Sequence, residues 1–182
     1  MELVILGFTC TTGLLYILQL SCCSSWIGKL LPAGVLAVSL YLLHYLVINT
    51  DSSTILHWLD QDNIRRNFSI LIMLDIIFQL QLNQWWLQQP SYSFRKALPI
   101  PSPVLLCGLF YTEVCLYREL SIDFEAIAIG YACLVAAVLV LGAVSCARLA
   151  DRYLRLEWRY GLLILSGILA VLFGTAMPEI VH

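Results

Sequence analysis

Two carboxylates stand inside long apolar runs: Asp75 in ILIMLDIIFQLQLNQWW and Glu113 in VLLCGLFYTEVCLY. A charge at mid-bilayer costs at least about 2.5–3.5 kcal/mol on insertion scales, so an acid in such a setting is a functional candidate by default. Asp75, Gln79 and Asn83 follow one another at i, i+4 and i+8, which makes one polar stripe on one helical face. That stripe must face protein or water. It suits three tasks: gluing helices together, lining a proton or ion path, or docking a partner helix. Gln81, Gln84 and Gln88 form a second polar row on the same helix. Polar residues on two sides place this segment at the centre of a bundle or under another chain.

Arg148, Arg152, Arg155 and Arg159 are spaced four, three and four apart, so they share one helical face. Leu149, Tyr153, Leu156 and Tyr160 keep the same spacing on the adjoining face. The pattern predicts a helix that continues a span or lies on the membrane. Its arginines can hold anionic lipid headgroups or an acidic patch on a partner, and at minimum they anchor the chain by charge.

Other chemistry finds little support. His44 sits alone in an apolar run, with no second buried histidine for bis-histidine haem. His57 with Asp60 and Asp62 reads as surface polarity. The seven cysteines include no Cys-x-x-Cys pair and lie mostly in apolar runs, so they read as small buried hydrophobes with reduced thiols. There is no Walker loop, no Gly-x-Gly-x-x-Gly, no His-Glu-x-x-His and no Gly-x-Ser-x-Gly. No metal, cofactor or catalytic centre is expected.

These residues need elements to hold them. Of 182 residues, 60% are hydrophobic and 12% charged, half the charge of a soluble domain. The net charge of −2 gives no basic field for nucleic acid. The fold class expected is all-α: one polytopic transmembrane helix bundle over residues 1–182, with about six spans. A span needs about 20 mostly apolar residues. Leu3 to Cys23, Leu30 to Ile48, Phe68 to Gln88, Pro103 to Glu119, Glu125 to Ala147, and Gly161 to Pro178 meet that description. The third and fourth are the least apolar, and five spans is the main rival. Leu20-Ser21-Cys22-Cys23 resembles a bacterial lipoprotein cleavage site, but Gln19 is out of pattern and the first segment is read as a retained helix.

Positive residues orient the chain. Lys29, Arg95, Lys96, Arg148, Arg152, Arg155 and Arg159 fall in one set of loops, and Arg65, Arg66 and Arg118 in the other. The bias places both termini on the non-cytoplasmic side, with a bacterial inner membrane as the expected location. Trp26, Trp58, Trp85, Trp86 and Trp158 fall at or near span ends, where a half-apolar ring with a wet N–H belongs. The second loop, Asn49 to Asn67, predicts a short interfacial helix after the Asp51-Ser52-Ser53 cap. Pro99, Pro101 and Pro103 predict a stiff entry to the fourth span, with Pro103 in its first turn.

Small residues at Ala126 and Gly130, at Ala132 and Ala136, and at Gly167, Ala170 and Gly174 predict close packing of the last two spans. The leading functional expectation is a non-enzymatic integral membrane subunit packed into a larger complex, with the bilayer and other membrane subunits as partners. The rival is a small proton- or cation-coupled transporter or channel using Asp75 and Glu113.

Overall fold

The computed structural model describes residues 2–23, 25–49, 54, 70, 74–75, 77–79, 81, 99–119, 123–153 and 168. They are almost entirely helical, and no strand occurs among them. Four continuous helices carry the fold: α1 (Glu2–Cys22), α2 (Trp26–Asn49), α3 (Pro103–Glu119) and α4 (Phe124–Tyr153). The described residues at 70, 74–75, 77–79 and 81 are helical too. Among the described residues, three stretches are long and apolar enough to cross a membrane: Ile5–Cys22, Trp26–Tyr45 and Phe124–Leu149. The described part of the chain is therefore helical, with a composition compatible with a bilayer. The expected sixth span lies outside the described residues apart from Ile168.

Each helix end follows from local chemistry. Ser25 accepts the Ile27 N–H at 3.2 Å and caps α2. Ser102 accepts the Leu105 N–H at 3.1 Å, with Pro103 as the first helical residue behind it. The Asp123 carbonyl takes the Ile127 N–H at 3.1 Å as α4 begins, and Glu125 lies in that first turn. α4 runs past the expected end at Ala147 to Tyr153, so the helix does continue into the arginine-bearing stretch. Arg148 is exposed there, Arg152 belongs to the last turn, and Arg155 and Arg159 lie outside the described residues. Pro32 sits inside α2, one turn after Gly28, whose carbonyl thereby loses its usual helical donor.

Hydroxyls within the helices bond back to their own backbone. Thr9 donates to the Ile5 carbonyl at 2.7 Å, Thr12 to Phe8 at 2.9 Å and Ser39 to Val35 at 2.8 Å. In an apolar solvent this keeps small polar side chains satisfied without water.

α4 is the hub: α1 and α2 both pack along it and scarcely touch one another, while α3 fills in chiefly against α1. Contacts fix the directions. Thr9 meets Gly108 and Gly13 meets Leu105, so α1 and α3 are antiparallel. Tyr131 bonds the Leu109 carbonyl at 3.0 Å and Tyr117 stacks near Phe124, so α3 and α4 are antiparallel. Near one end of the bundle Tyr16, Leu20, Ala33, Leu36, Leu105, Leu139 and Ala143 form one core; near the other, Val47, Val114, Tyr117 and Ile127 form a second. α2 and α3 therefore run the same way, opposite to α1 and α4.

Among the described residues Gly130 is exposed and meets open space where a side chain would go; the sixth span expected to pack against it lies outside them. Tight crossings among the described residues fall at Gly108, against Thr9, and at Gly142, where a β-carbon would meet Ile17 Cδ1 at 3.0 Å. The cysteines form no disulfide, but only Cys23 is buried; Cys10, Cys107 and Cys133 are exposed. Lipid accepts an exposed thiol as readily as a core does, so an apolar run does not imply an inward face. Gly167, Ala170 and Gly174, the second-loop helix and His57, Asp60 and Asp62 lie outside the described residues.

Candidate functional site

Asp75 and Glu113 are both buried, and they occupy separate polar nodes. Glu113 belongs to α3 and has no exposed surface. One turn later on the same face, Tyr117 donates its hydroxyl proton to Glu113 Oε1 at 2.6 Å. The same hydroxyl lies 2.7 Å from Nδ1 of His44, on α2. A phenol has one proton, so while Tyr117 donates to Glu113 it must accept from an Nδ1–H of His44. Packing fixes this geometry. The His44 ring sits 5.5 Å from the Tyr117 ring and 6.3 Å from Tyr41, and Val47, Val114 and Ile127 close around Tyr117.

Both ends of this chain are open. Glu113 Oε2 and His44 Nε2 are buried and have no hydrogen-bond partner among the described residues. Each orphaned polar atom would cost roughly 1–3 kcal/mol of stability. An arrangement that keeps two of them at the ends of one hydrogen-bonded string is a feature to explain.

Asp75 forms the second node. Its Oδ2 takes a hydrogen bond from the Ser102 hydroxyl, which also caps α3 through the Leu105 N–H. Four residues on, Gln79 Oε1 accepts from Gln19 Nε2 of α1 at 3.0 Å. Asp75 Oδ1, Gln79 Nε2 and the Tyr16 hydroxyl have no hydrogen-bond partner among the described residues. This node ties together α1, the Asp75 helix and the start of α3. The helix N-terminus at Ser102 also offers its partial positive charge toward the carboxyl.

The polar stripe expected from Asp75 and Gln79 does face protein, since both side chains are buried. Asn83, Gln84 and Gln88 lie outside the described residues. Gln81 is exposed, and it shares its face with exposed Leu74, Ile77 and Phe78. Its amide is thus presented outward from an apolar surface.

Four participants were not singled out from sequence: Ser102, Gln19, Tyr117 and, as a partner of Glu113, His44. Two of them left a signal. Tyr117 stands at i+4 from Glu113, and Ser102 precedes a proline at a helix start. Gln19 and His44 are joined to their partners across 60 and 73 residues of chain, which no local pattern reports.

Among the described residues, no group of three or more His, Cys, Asp or Glu gathers to hold a metal ion. Comparison with known proteins finds no match to this chain among family models, curated proteins or solved structures.

Proposed function

We propose that this chain is a small proton- or cation-coupled membrane protein, a transporter or channel, with Glu113 and Asp75 as its working carboxyls. The observation that carries the reading is Glu113: a fully buried acid that takes one hydroxyl proton, with no partner for its second oxygen among the described residues. Intramembrane acids are rare, and ion pathways and proton relays are among the roles they mark. The test is proton flux in vesicles reconstituted with purified protein under an imposed pH gradient. Wild-type protein dissipates the gradient faster than empty vesicles, and Glu113→Gln and Asp75→Asn abolish the difference. Equal rates in all vesicles would sink the proposal.

The topology belongs to the same proposal: about six crossings of a bacterial inner membrane, with both termini on the non-cytoplasmic side. α2 and α3 run the same way, which calls for an odd number of crossings between Asn49 and Pro103. The expected third span supplies one. Lys29 near the start of α2 and Arg148 near the end of α4 then share one end of the bundle, in keeping with the positive-inside bias.

A second reading, a non-enzymatic subunit of a larger membrane complex, is favoured by Gln81. An exposed amide among Leu74, Ile77 and Phe78 is poorly served by lipid and well served by a neighbouring polar helix. Mild detergent extraction and native mass measurement distinguish the cases: a co-purifying membrane partner supports the subunit, a bare chain opposes it.

A further inference from the structure

We infer that the ligand of the Glu113 site is a proton, and that Tyr117 relays it between Glu113 and His44. This deepens the proton- or cation-coupled reading of Glu113 and rests on it.

Glu113, Tyr117 and His44 can hold their protons in two arrangements. In one state, Glu113 is a neutral carboxylic acid and donates to the Tyr117 oxygen, while Tyr117 donates to a bare Nδ1 of His44. In the other, Tyr117 donates to the Glu113 carboxylate and accepts from Nδ1–H. Passage between them breaks the Glu113 O–H and Tyr117 O–H bonds, and forms a new Tyr117 O–H and a His44 Nδ1–H. One proton leaves the carboxyl, one arrives at the imidazole, and the phenol ends as it began. Neutral acid plus neutral imidazole becomes carboxylate plus imidazolium, with total charge conserved. Heavy atoms need scarcely move, because the two hydrogen bonds are 2.6 and 2.7 Å in the structure.

The open atoms complete the relay. A proton can reach Glu113 at Oε2 and leave His44 at Nε2, the two buried atoms that have no partner among the described residues. Donor chemistry separates a proton from a metal cation. Hard cations take six or more oxygen ligands, whereas here one carboxyl shares its pocket with a phenol and an imidazole, among valine and isoleucine side chains. A string of hydroxyl and imidazole suits a proton, and among the described residues it offers a hard cation too few oxygens.

Other titratable groups face the site. Tyr41 and Tyr45 of α2 ring His44, Tyr131 of α4 faces Glu113, and Glu125 of α4 faces Tyr41. None of them bridges Glu113 to His44 as Tyr117 does.

Infrared difference spectroscopy of the full chain in lipid nanodiscs, titrated with pH, tests the relay. The carbonyl stretch of a protonated carboxyl and the ring modes of histidine are read together. In wild type both signals change together in each of the pair's two macroscopic steps, and the carbonyl signal disappears in Glu113→Gln. Tyr117→Phe keeps both end groups but removes the bridge: the two signals then separate, each midpoint moving by about tenfold in proton affinity. His44→Gln shifts the carbonyl midpoint by a similar factor. Unchanged midpoints in Tyr117→Phe, with helicity and elution volume matching wild type, would overturn the relay. So would displacement of the wild-type midpoints by sodium, magnesium or calcium at fixed ionic strength. The vesicle experiment stays separate: coupled titration without proton flux retains the relay and sinks the transporter, and flux without coupled titration does the reverse.

Discussion

Gly108 of α3 lies so close to Thr9 of α1 that a β-carbon there would overlap the threonine hydroxyl and approach its Cβ and Cγ2 to 3.1 Å. In lipid the packing between helices replaces the hydrophobic drive that folds a soluble core, so close backbone approach matters more. Gly108→Ala is therefore expected to destabilise the bundle by about 1–3 kcal/mol, the usual cost of overpacking. Gly130→Ala, at an open position, is expected to be neutral or slightly stabilising. Thermal unfolding of both variants in one detergent checks the contrast.

Ser102 links a helix cap to a buried acid. Ser102→Ala removes the acceptor for the Leu105 N–H and the donor to Asp75 together. The expected loss is about 1–2 kcal/mol from the cap alone, with more from the acid left without its donor. A double-mutant cycle with Asp75→Ala should show coupling of at least about 0.5 kcal/mol, measured by reversible unfolding. Additive effects would mean that the two side chains act independently.

Gln19 and Gln79 join α1 to the Asp75 helix by one side-chain bond. Gln19→Leu is expected to cost about 0.6 kcal/mol, the average for such bonds in membranes, and at most about 1.7. Its small size compared with the Ser102 variant is the point of the measurement.

Cys23 sits in the turn between α1 and α2, and burial pushes its thiol up to about 11, helped by Cys22 and opposed by Lys29. At pH 8 roughly one molecule in a thousand then carries the reactive thiolate. Alkylation of Cys23, followed by mass spectrometry of its peptide, should be slow at neutral pH and accelerate about tenfold per pH unit until it levels near 11. The linkage has a definite sign. The folded state holds this proton more tightly than the unfolded chain, so the contribution to stability is complete below about pH 8.5 and is lost as pH rises toward 11.

Reporter fusions test the parallel course of α2 and α3. A reporter active only outside the cytoplasm, fused after Asn49 or after Glu119, should give the same result at both sites. Fusions after Ser25 and after Ile100 should give the opposite one. Disagreement between the first two sites would remove the crossing proposed between them.

The bounds of α3 were legible because Ser102-Pro103 opens it and Arg118-Glu119 closes it in plain chemistry. The continuation of α4 to Tyr153 was legible in the spacing of Arg148 and Arg152, which ends an apolar run without ending a helix. The buried face of the Asp75 helix could be read from the i, i+4 spacing of Asp75 and Gln79. Which sides of α1 and α2 pack inward could not. A helix that is apolar all round carries no polar side to mark its partner, so Gly108 and Gly142 gave no sign in the sequence that they hold close crossings. A lone His44 in an apolar run points to no partner in the sequence, because its partner is a tyrosine on a helix far along the chain.

In the proposed topology, the shortness of α3 bears on how the protein would meet a bilayer. Its 17 residues rise about 25 Å, less than the ~30 Å of hydrocarbon. A helix that short would ordinarily thin the lipid around it to bring its polar ends to the surface. Here the beginning of α3 is received by Asp75 and Ser102 within the protein, so its depth is set by neighbouring helices. In that topology hydrophobic mismatch would fall on α2 and α4, whose 24 and 30 residues can adapt by tilting, and the α3 carboxyl would keep its seat in membranes of different thickness.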